Sequence, residues 1–242
     1  MRVKATVAYD GTDYQGFQRQ ANGSTVQEVL ESALERITGE PVRVLAAGRT
    51  DAGVHAEGQV IAFDTEWRHS LPDLERAVNA VLPQDSAVRD LVEVAPDFHP
   101  RYDARSRRYR YTIYNAPVRS PLTRRTSLHL REALDVEAMN AATGLIVGEH
   151  DFATFGRPTH GSVTVRRVTD ACWINEPPWL FFEIEGNAFL HRMVRSLVGT
   201  LLQVGQGRLS PGEFGAALSA RDPGRAGQTA PAHGLCLMRV EY

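Results

Sequence analysis

The stretch from residue 47 to residue 56 constrains the fold of this chain more than any other. It is a loop of mostly small residues with glycines at Gly48 and Gly53, and it lies between two apolar runs, 42–46 and 59–64. Both runs alternate or contain β-branched residues, which is typical of strands. Glycine adopts backbone conformations that other residues avoid and lets a ligand approach closely. The sequence therefore predicts a loop fixed at the ends of two strands.

One carboxylate and one guanidinium lie in this loop, at Asp51 and Arg49, with small residues around them. A loop on a rigid sheet that carries a single acid is a frequent place for catalytic chemistry. Aspartate and glycine are equally ordinary turn residues, and in a turn the Asp51 side chain would cap its own backbone. The residue types alone leave both interpretations open.

The composition excludes several classes of protein. The chain has 242 residues, of which 43% are hydrophobic and 23% are charged, as in ordinary globular domains. Its apolar runs are far shorter than a membrane span and its first residues lead directly into a strand, so we expect neither a membrane segment nor a signal peptide. Two cysteines, Cys172 and Cys236, make no disulfide framework and no metal cluster, which favours a cytoplasmic protein with free thiols.

Residues 1–100 alternate between strand and helix patterns. A capping box at 24–27 begins a helix with one apolar face, which Gly39 ends, and a second helix over 71–82 is ended by Pro83. Strands are predicted over 2–9, 42–46, 59–64 and 88–94. The order strand, helix, strand, strand, helix, strand is the ferredoxin-like pattern.

Residues 101–242 again combine strands and helices, without a direct sequence repeat of the first half. The pattern predicts helices from Asp135, from Asn187 to Gly205 or Gly207, and over 210–220, with strands over 107–114, 163–174, 179–185 and 236–242. We therefore expect an α+β protein with two ferredoxin-like halves, 1–100 and 101–242, that share one mostly antiparallel sheet with helices packed on it. The active-site cleft is expected between the two halves.

Positive charge is concentrated between His99 and Arg131, although the whole chain has a net charge of −2. This segment holds nine arginines and one acid, Asp103, which gives a net charge of about +8. Four tyrosines are interleaved with the arginines, a composition that suits phosphate contacts and base stacking. The alternative is the solvated face of a strand.

The strand in this segment alternates strictly, with a period of two residues. Alternation places Arg107, Tyr109 and Tyr111 on one face, and Arg108 and Arg110 on the other. We interpret Tyr109 and the three arginines of this strand as candidate substrate contacts.

Arg195 lies on the predicted helix that starts at Asn187. Apolar residues cover about 220° of this helix, and Arg195 projects just beyond the edge of that arc. A guanidinium at the border of a buried helix is strongly unfavourable without an anion partner. Any nearby acid would serve as that partner, and snorkelling to water would also relieve the cost.

Five motifs between Tyr9 and the end of the chain resemble the tRNA pseudouridine synthase A family. The loop motif Gly-Arg-Thr-Asp-Ala-Gly-Val-His, from Gly48, resembles the catalytic motif of that family residue for residue. The other four are Tyr-Asp-Gly…Gly-Phe-Gln-Arg-Gln from Tyr9, Arg-Arg-Tyr-Arg-Tyr from Arg107, Asn-Ala-Phe-Leu-His-Arg-Met-Val-Arg from Asn187 and Thr-Ala-Pro-Ala-His-Gly-Leu from Thr229.

The resemblance implies an isomerase that converts uridine to pseudouridine at positions 38, 39 and 40 of the tRNA anticodon arm, with no cofactor and no metal. Asp51 corresponds to the catalytic aspartate, Arg195 to the arginine that pairs with it, and Tyr109 to the tyrosine that stacks on the target base. Arg49 is interpreted as the group that holds or replaces the extruded nucleotide. A homodimer that grips each tRNA with both subunits is also implied. Further substrate contacts are predicted for Gln18, Arg19, Arg107, Arg108 and Arg110.

Two other functions stay open at this point. A metal-dependent hydrolase would use Asp51 and His55, but ligands four residues apart suit a helix, and this stretch is a loop with no further ligand cluster nearby. A non-catalytic RNA-binding module on a ferredoxin-like sheet would use the same arginines and surface aromatic residues. Incubation with unmodified tRNA, with and without a chelator, separates the three functions.

Overall fold

The structure is a computed structural model that describes residues 1–242. It contains two compact units, one made of Met1–Arg105 together with Cys236–Tyr242, and the other of Ser106–Leu235. Each unit combines strands with helices, and most strand pairs are antiparallel, so the predicted α+β class is confirmed. No helix is both long enough and apolar enough to cross a membrane.

The first unit has the predicted order of strand, helix, strand, strand, helix, strand. β1 is central in this part of the sheet and pairs antiparallel with β3 on one side and β4 on the other. Alternation along β1 buries every second side chain, from Val3 to Tyr9. The elements are β1 (Arg2–Tyr9), α1 (Val26–Thr38), β2 (Leu45–Ala46), β3 (His55–Asp64), α2 (Leu71–Val81) and β4 (Ser86–Val94).

Both helices of the first unit begin at capped residues. The Thr25 hydroxyl accepts a hydrogen bond from the Glu28 amide at the start of α1, one residue later than the predicted capping box at 24–27. The Ser70 hydroxyl accepts one from the Asp73 amide at the start of α2. Gly39 ends α1 in the left-handed conformation, with a φ of 77°, as the sequence predicts. α1 packs against α2, and α2 packs against β4.

The two strands around the Asp51 loop differ in extent from the prediction. β2 is shorter than predicted because the backbone of Val44 is bonded to side chains of α1 instead of to a strand. Its amide donates to Glu31 Oε1 at 3.0 Å, and its carbonyl oxygen accepts from Gln27 Nε2 at 3.2 Å. β3 begins earlier than predicted, at His55, so the last residue of the loop motif belongs to the strand.

The second unit also places helices on an antiparallel sheet. Its main strands run in the order β5, β9, β8, β7, and the short β6 pairs parallel with β5. α3 packs against β8 and against both other helices of the unit. The elements are β5 (Ser106–Asn115), β6 (Leu128–Leu130), α3 (Val136–Gly144), β7 (Gly148–Asp151), β8 (Val165–Glu176), β9 (Trp179–Gly186), α4 (Met193–Gly205) and α5 (Pro211–Ala220).

The helix that carries Arg195 begins at Met193, and the predicted start at Asn187 is wrong. Asn187 extends the hairpin of β8 and β9 instead, because its amide donates to the Arg167 carbonyl and its Oδ1 accepts from the Arg167 amide, both at 3.0 Å. The backbone then turns at Arg192, which has a φ of 64°, before α4 starts. The local sequence pattern did not reveal that the hairpin continues past Gly186.

The last strand, β10 (Leu235–Glu241), is joined to the first unit. Cys236 and Leu237 pair parallel with His55 and Ala56 at the start of β3. The sequence assigned this strand to the second half and placed the boundary after residue 100, whereas the first unit extends to Arg105. The assignment of β10 differs because parallel pairing joins strands that are far apart in sequence, and no local pattern reports it.

Candidate active site

Asp51 lies on the loop of residues 47–54, between β2 and β3. Asp51 is partly exposed, whereas Thr50 is buried, and its hydroxyl is hydrogen-bonded to Tyr9 Oη at 2.8 Å. The Thr50 carbonyl oxygen accepts a bond from the Phe17 amide at 3.1 Å, and the Asp51 carbonyl oxygen accepts one from the Val54 amide at 3.1 Å. The backbone on both sides of the Asp51 side chain is therefore held in place.

The loop of residues 10–17 supports the Asp51 loop along its length. The Gly53 amide donates to the Tyr14 carbonyl oxygen at 3.3 Å. Gly16 has a φ of 89°, and a Cβ at this position would lie 2.8 Å from the Thr50 carbonyl oxygen, so only glycine fits there. The sequence predicted substrate contacts at Gln18 and Arg19, directly after this loop. Its backbone bonds show that it also holds the Asp51 loop.

His55 joins the same two loops from the start of β3. Its side chain is buried, and its Nδ1 atom lies 3.0 Å from the Gly11 amide and 3.1 Å from Asp10 Oδ1. These contacts engage one of the two ring nitrogens. Nowhere does the structure bring together three or more His, Cys, Asp or Glu side chains that could hold a metal ion.

Three further predicted contacts of the first unit, Gln18, Arg19 and Arg49, are exposed. Arg19 lies beside α1, where its guanidinium is 3.4 Å from Glu31 and 3.7 Å from Glu28. Gln18 and Arg49 have no such carboxylate partner. Arg49 is therefore a charged group two residues from Asp51 that stays available to a phosphate.

Tyr109 lies on β5 and is half-buried. Phe189 meets its ring edge to face, with ring centroids 5.3 Å apart and an angle of 86° between the planes. This contact restrains the ring and leaves part of it exposed. The sequence had placed Phe189 on the helix, so its contact with Tyr109 was not predicted.

Arg107 and Tyr111, which share the face of Tyr109 in the predicted alternation, are both buried. Arg107 donates to the Asn187 carbonyl oxygen at 2.6 Å, which secures the turn that precedes α4. The Tyr111 hydroxyl donates to the Pro231 carbonyl oxygen at 2.9 Å. Burial raises the pKa of Tyr111 above its usual range, with Arg195 as a smaller opposing influence, so the hydroxyl stays a neutral donor.

The predicted contacts Arg108 and Arg110 meet carboxylates on the neighbouring strands. Arg108 lies 3.1 Å from Glu183, 3.0 Å from Glu185 and 2.9 Å from Asp170, and Arg110 forms an ion pair with Glu183. The register of β5 against β9 places these groups directly opposite each other. Two guanidinium groups among three carboxylates leave this face with a net charge of −1, so their positive charge is neutralised in the free protein.

Four arginines of the basic segment follow β5. The exposed ones before β6 are Arg119, Arg124 and Arg125, and the exposed one after β6 is Arg131. No carboxylate pairs with Arg119, Arg124 or Arg131. These side chains, rather than those of Arg108 and Arg110, present unneutralised positive charge to solvent.

Arg195 lies in the first turn of α4 and is half-buried. Its Nε atom donates to the Ala230 carbonyl oxygen at 2.8 Å, and the Ala230 amide donates back to the Arg195 carbonyl oxygen at 3.0 Å. Sequence reasoning considered acids and water as partners, and it missed this carbonyl oxygen. The signal was present, since Ala230 belongs to the last of the family motifs.

Each unit carries groups with a defined chemical capacity. In the first unit, a single carboxylate on a supported loop can act as a nucleophile or stabilise a positively charged sugar carbon. In the second, a restrained and partly exposed aromatic ring can stack on a base, and a guanidinium held through Nε can meet an anion.

The chain is similar to known proteins over nearly its whole length. The family model described as tRNA pseudouridine synthase matches residues 5–103 and 142–242. The "tRNA pseudouridine synthase A" of Geotalea uraniireducens is 46% identical over 242 residues, which cover 100% of this chain and 99% of that protein. The proteins of the same name from Moorella thermoacetica and Chloroflexus aurantiacus are each 49% identical over 99% of this chain, and over 99% and 88% of their own lengths.

The likeness to solved structures is distant. A Cbf5-Nop10-Gar1 complex matches with a TM-score of 0.38 and 15% identity, over 97% of this chain and 48% of that one. The sequence relatives and the family model are far more specific, and they favour neither the hydrolase nor the non-catalytic module. Because the family model matches most of the chain and relatives of nearly equal length share almost half of its residues, this chain belongs to the tRNA pseudouridine synthase family, whose members are isomerases acting on tRNA.

Proposed function

We propose that this chain isomerises uridine to pseudouridine at positions 38, 39 and 40 of the tRNA anticodon arm, with Asp51 as the catalytic carboxylate. The observation that carries the proposal is the support of the Asp51 loop, within the residues that match the family. An ordinary surface turn would not need the buried hydrogen bond between the Tyr9 and Thr50 hydroxyls, or the close contact of Gly16 with the Thr50 carbonyl oxygen. These features favour a carboxylate that must be kept in position.

The reaction needs no cofactor because it is an isomerisation. The N1–C1′ bond breaks, the uracil turns, a C5–C1′ bond forms, C5 loses a proton and N1 gains one. Nothing is oxidised or reduced. Asp51 serves in each of three routes, by attacking C1′, by attacking C6 of the base or by removing a ribose proton first.

Three further side chains have roles in this proposal. Extruding the target base costs a few kcal/mol, and stacking on Tyr109 returns about 1–3 kcal/mol. Arg49 holds the extruded nucleotide or fills the space that it leaves. Arg195 is the counter-charge that pairs with the Asp51 carboxylate.

The tRNA backbone is bound mainly by Arg119, Arg124 and Arg131, since these exposed side chains carry positive charge that no carboxylate cancels. The secondary contacts are the side chains of Gln18, Arg19, Arg107, Arg108 and Arg110. The four arginines among them already have partners within the protein, and Gln18 carries no charge. A homodimer in the cytoplasm that grips each tRNA with both subunits completes the proposal, and the family resemblance supports it.

Loss of the C5 proton gives a direct assay. tRNA transcribed with uridine tritiated at C5 should release tritium when the protein is added. Release should require uridine at one or more of positions 38 to 40. A chelator should not change the rate of release. The matched control is Asp51→Asn, which keeps the size of the side chain. Binding without tritium release would favour the non-catalytic RNA-binding module, and strand cleavage that stops with chelator would favour the hydrolase.

A further inference from the structure

A short segment between α5 and β10, residues 227–234, is tied to two elements of the second unit, and we call it the strap. Its Gly227 amide donates to Thr200 Oγ1 of α4 at 2.9 Å. Its Ala230 forms the reciprocal pair of bonds with Arg195, and its Pro231 carbonyl oxygen accepts the Tyr111 hydroxyl bond. Apart from a short 3-10 helix at Ala232–Gly234, the strap has no regular secondary structure, so these bonds hold it in place.

The strap also approaches its neighbours too closely for ordinary side chains. A Cβ at Gly199 on α4 would overlap the carbonyl oxygen of Gln228. A Cβ at Gly234 would lie 2.5 Å from the Tyr111 ring. Glycine at both contacts lets the strap backbone lie directly on α4 and on the Tyr111 ring. The Ala230 carbonyl oxygen is therefore fixed from both sides.

We propose that the strap positions the guanidinium of Arg195 for the isomerisation, and that Tyr111 is a positioning residue that acts through Pro231 and Ala230. This inference rests on the proposed role of Arg195. An arginine has a long flexible stem, and a hydrogen bond at Nε fixes the plane of its guanidinium and presents the two terminal nitrogens as a fork. Rate depends on this orientation because a displacement of about 1 Å at a reacting site costs on the order of 100-fold.

Tyr111→Phe removes only the hydroxyl that holds the strap. We expect kcat to fall on the order of 10-fold to 100-fold, with KM and the Kd for tRNA unchanged, because the phosphate contacts are untouched. Tyr242→Phe is the matched control, since the Tyr242 hydroxyl also donates to a proline carbonyl oxygen, that of Pro100, at 2.8 Å in the first unit. The control should leave kcat unchanged.

Thr200→Val tests the end of the strap at Gly227. It replaces Tyr111→Phe as the test variant if Tyr111→Phe does not fold. It removes the acceptor of the Gly227 amide, and kcat should again fall without a change in KM. Thr143→Val is its control, because Thr143 is also a buried helical threonine bonded to a carbonyl oxygen one turn earlier, and it has no bond to the strap. Thermal unfolding of all four variants shows how much stability each one loses.

The decisive measurement repeats Tyr111→Phe in an Arg195→Ala background, by single-turnover tritium release. If the strap acts through Arg195, the second substitution causes no further loss. The same loss in both backgrounds, or no loss in the wild-type background, would overturn the inference. An unchanged rate for Arg195→Ala alone would overturn it as well. Tritium release by the wild type tests the proposed function separately, so the two failures are distinguishable.

Discussion

At the scale of single residues, Asp51 differs from its neighbours in that its backbone is held while its side chain stays partly exposed. Asp51→Asn and Asp51→Ala are expected to abolish turnover, because one carboxylate carries the bond-breaking step. The Kd for tRNA should change by no more than a few-fold, because arginines supply the affinity. Single-turnover tritium release and equilibrium binding at one salt concentration measure the two effects. Turnover by an Asp51→Ala preparation free of host enzyme would contradict the assignment.

Thr50 affects the same carboxylate from within the loop. Thr50→Val keeps the shape of the side chain but leaves the buried Tyr9 hydroxyl without this partner, which should reduce the free energy of unfolding by about 1–3 kcal/mol. We expect kcat to fall too, because the backbone next to Asp51 loses an anchor. Denaturant unfolding and initial rates measure the two. Thr65→Val, a buried threonine beyond the far end of β3, should cost stability while kcat stays constant.

At the scale of elements, the basic segment contains two kinds of arginine. Carboxylates neutralise Arg108 and Arg110 on β5, whereas Arg119, Arg124 and Arg131 after β5 are exposed and have no carboxylate partner. We expect Arg119→Gln with Arg124→Gln to flatten the plot of log affinity against log salt, by about 0.7–0.9 for each phosphate that is no longer neutralised. Arg108→Gln with Arg110→Gln should change that slope less, and should instead lower the thermal stability because Glu183 stays buried without its partners. Equal slopes for the two double variants would show that the ion pairs open when RNA binds.

The first turn of α5 makes the stability of the second unit dependent on pH. The Ser210 amide and then its hydroxyl hold the pKa of the Glu213 carboxyl below its usual range. A carboxyl whose pKa is lowered by folding stabilises above its unfolded pKa, and that contribution is lost as the pH falls through the folded pKa. Glu213→Gln should therefore lower the Tm at neutral pH, and the difference from the wild type should vanish in acid.

A control for this effect is Glu149→Gln on β7, an exposed glutamate outside any cap. Its Tm should match that of the wild type at every pH. A Tm difference for Glu213→Gln that persists in acid would mean that the substitution acts through packing instead of through charge.

At the scale of the whole molecule, the proposed homodimer predicts complementation between a chain that cannot catalyse and a chain that binds tRNA weakly. One chain carries Asp51→Ala, and the other carries Arg119→Gln with Arg124→Gln. If each tRNA is held by one subunit and modified by the other, co-expressed chains at a tRNA concentration below the Kd of the arginine variant should release more tritium than the two chains assayed separately. Sedimentation velocity verifies that the mixed dimer forms. A mixed dimer without this gain would restrict each tRNA to a single subunit.

The sequence by itself determined the features that depend on neighbouring residues. Periodicity located α1 and α2, with Gly39 and Pro83 marking their ends, alternation located β1 and β5, and the Asp51 motif identified the family. These signals are local because a helix cap or a strand face is set by residues a few positions apart. They were sufficient for the order of the elements in the first unit and for the candidate carboxylate, whereas β6 and β7 were not predicted.

Only the tertiary structure decided which distant groups meet. In the tertiary structure β10 pairs with β3, and the hairpin of β8 and β9 continues past Gly186, so α4 starts later than predicted. Arg108 and Arg110 meet carboxylates on neighbouring strands, and Arg195 donates a hydrogen bond to the Ala230 carbonyl oxygen. Each of these outcomes depends on strand register or on contacts between residues far apart in sequence. A side chain's partner follows from that register, and a shift of one residue would turn it to the opposite face of the sheet.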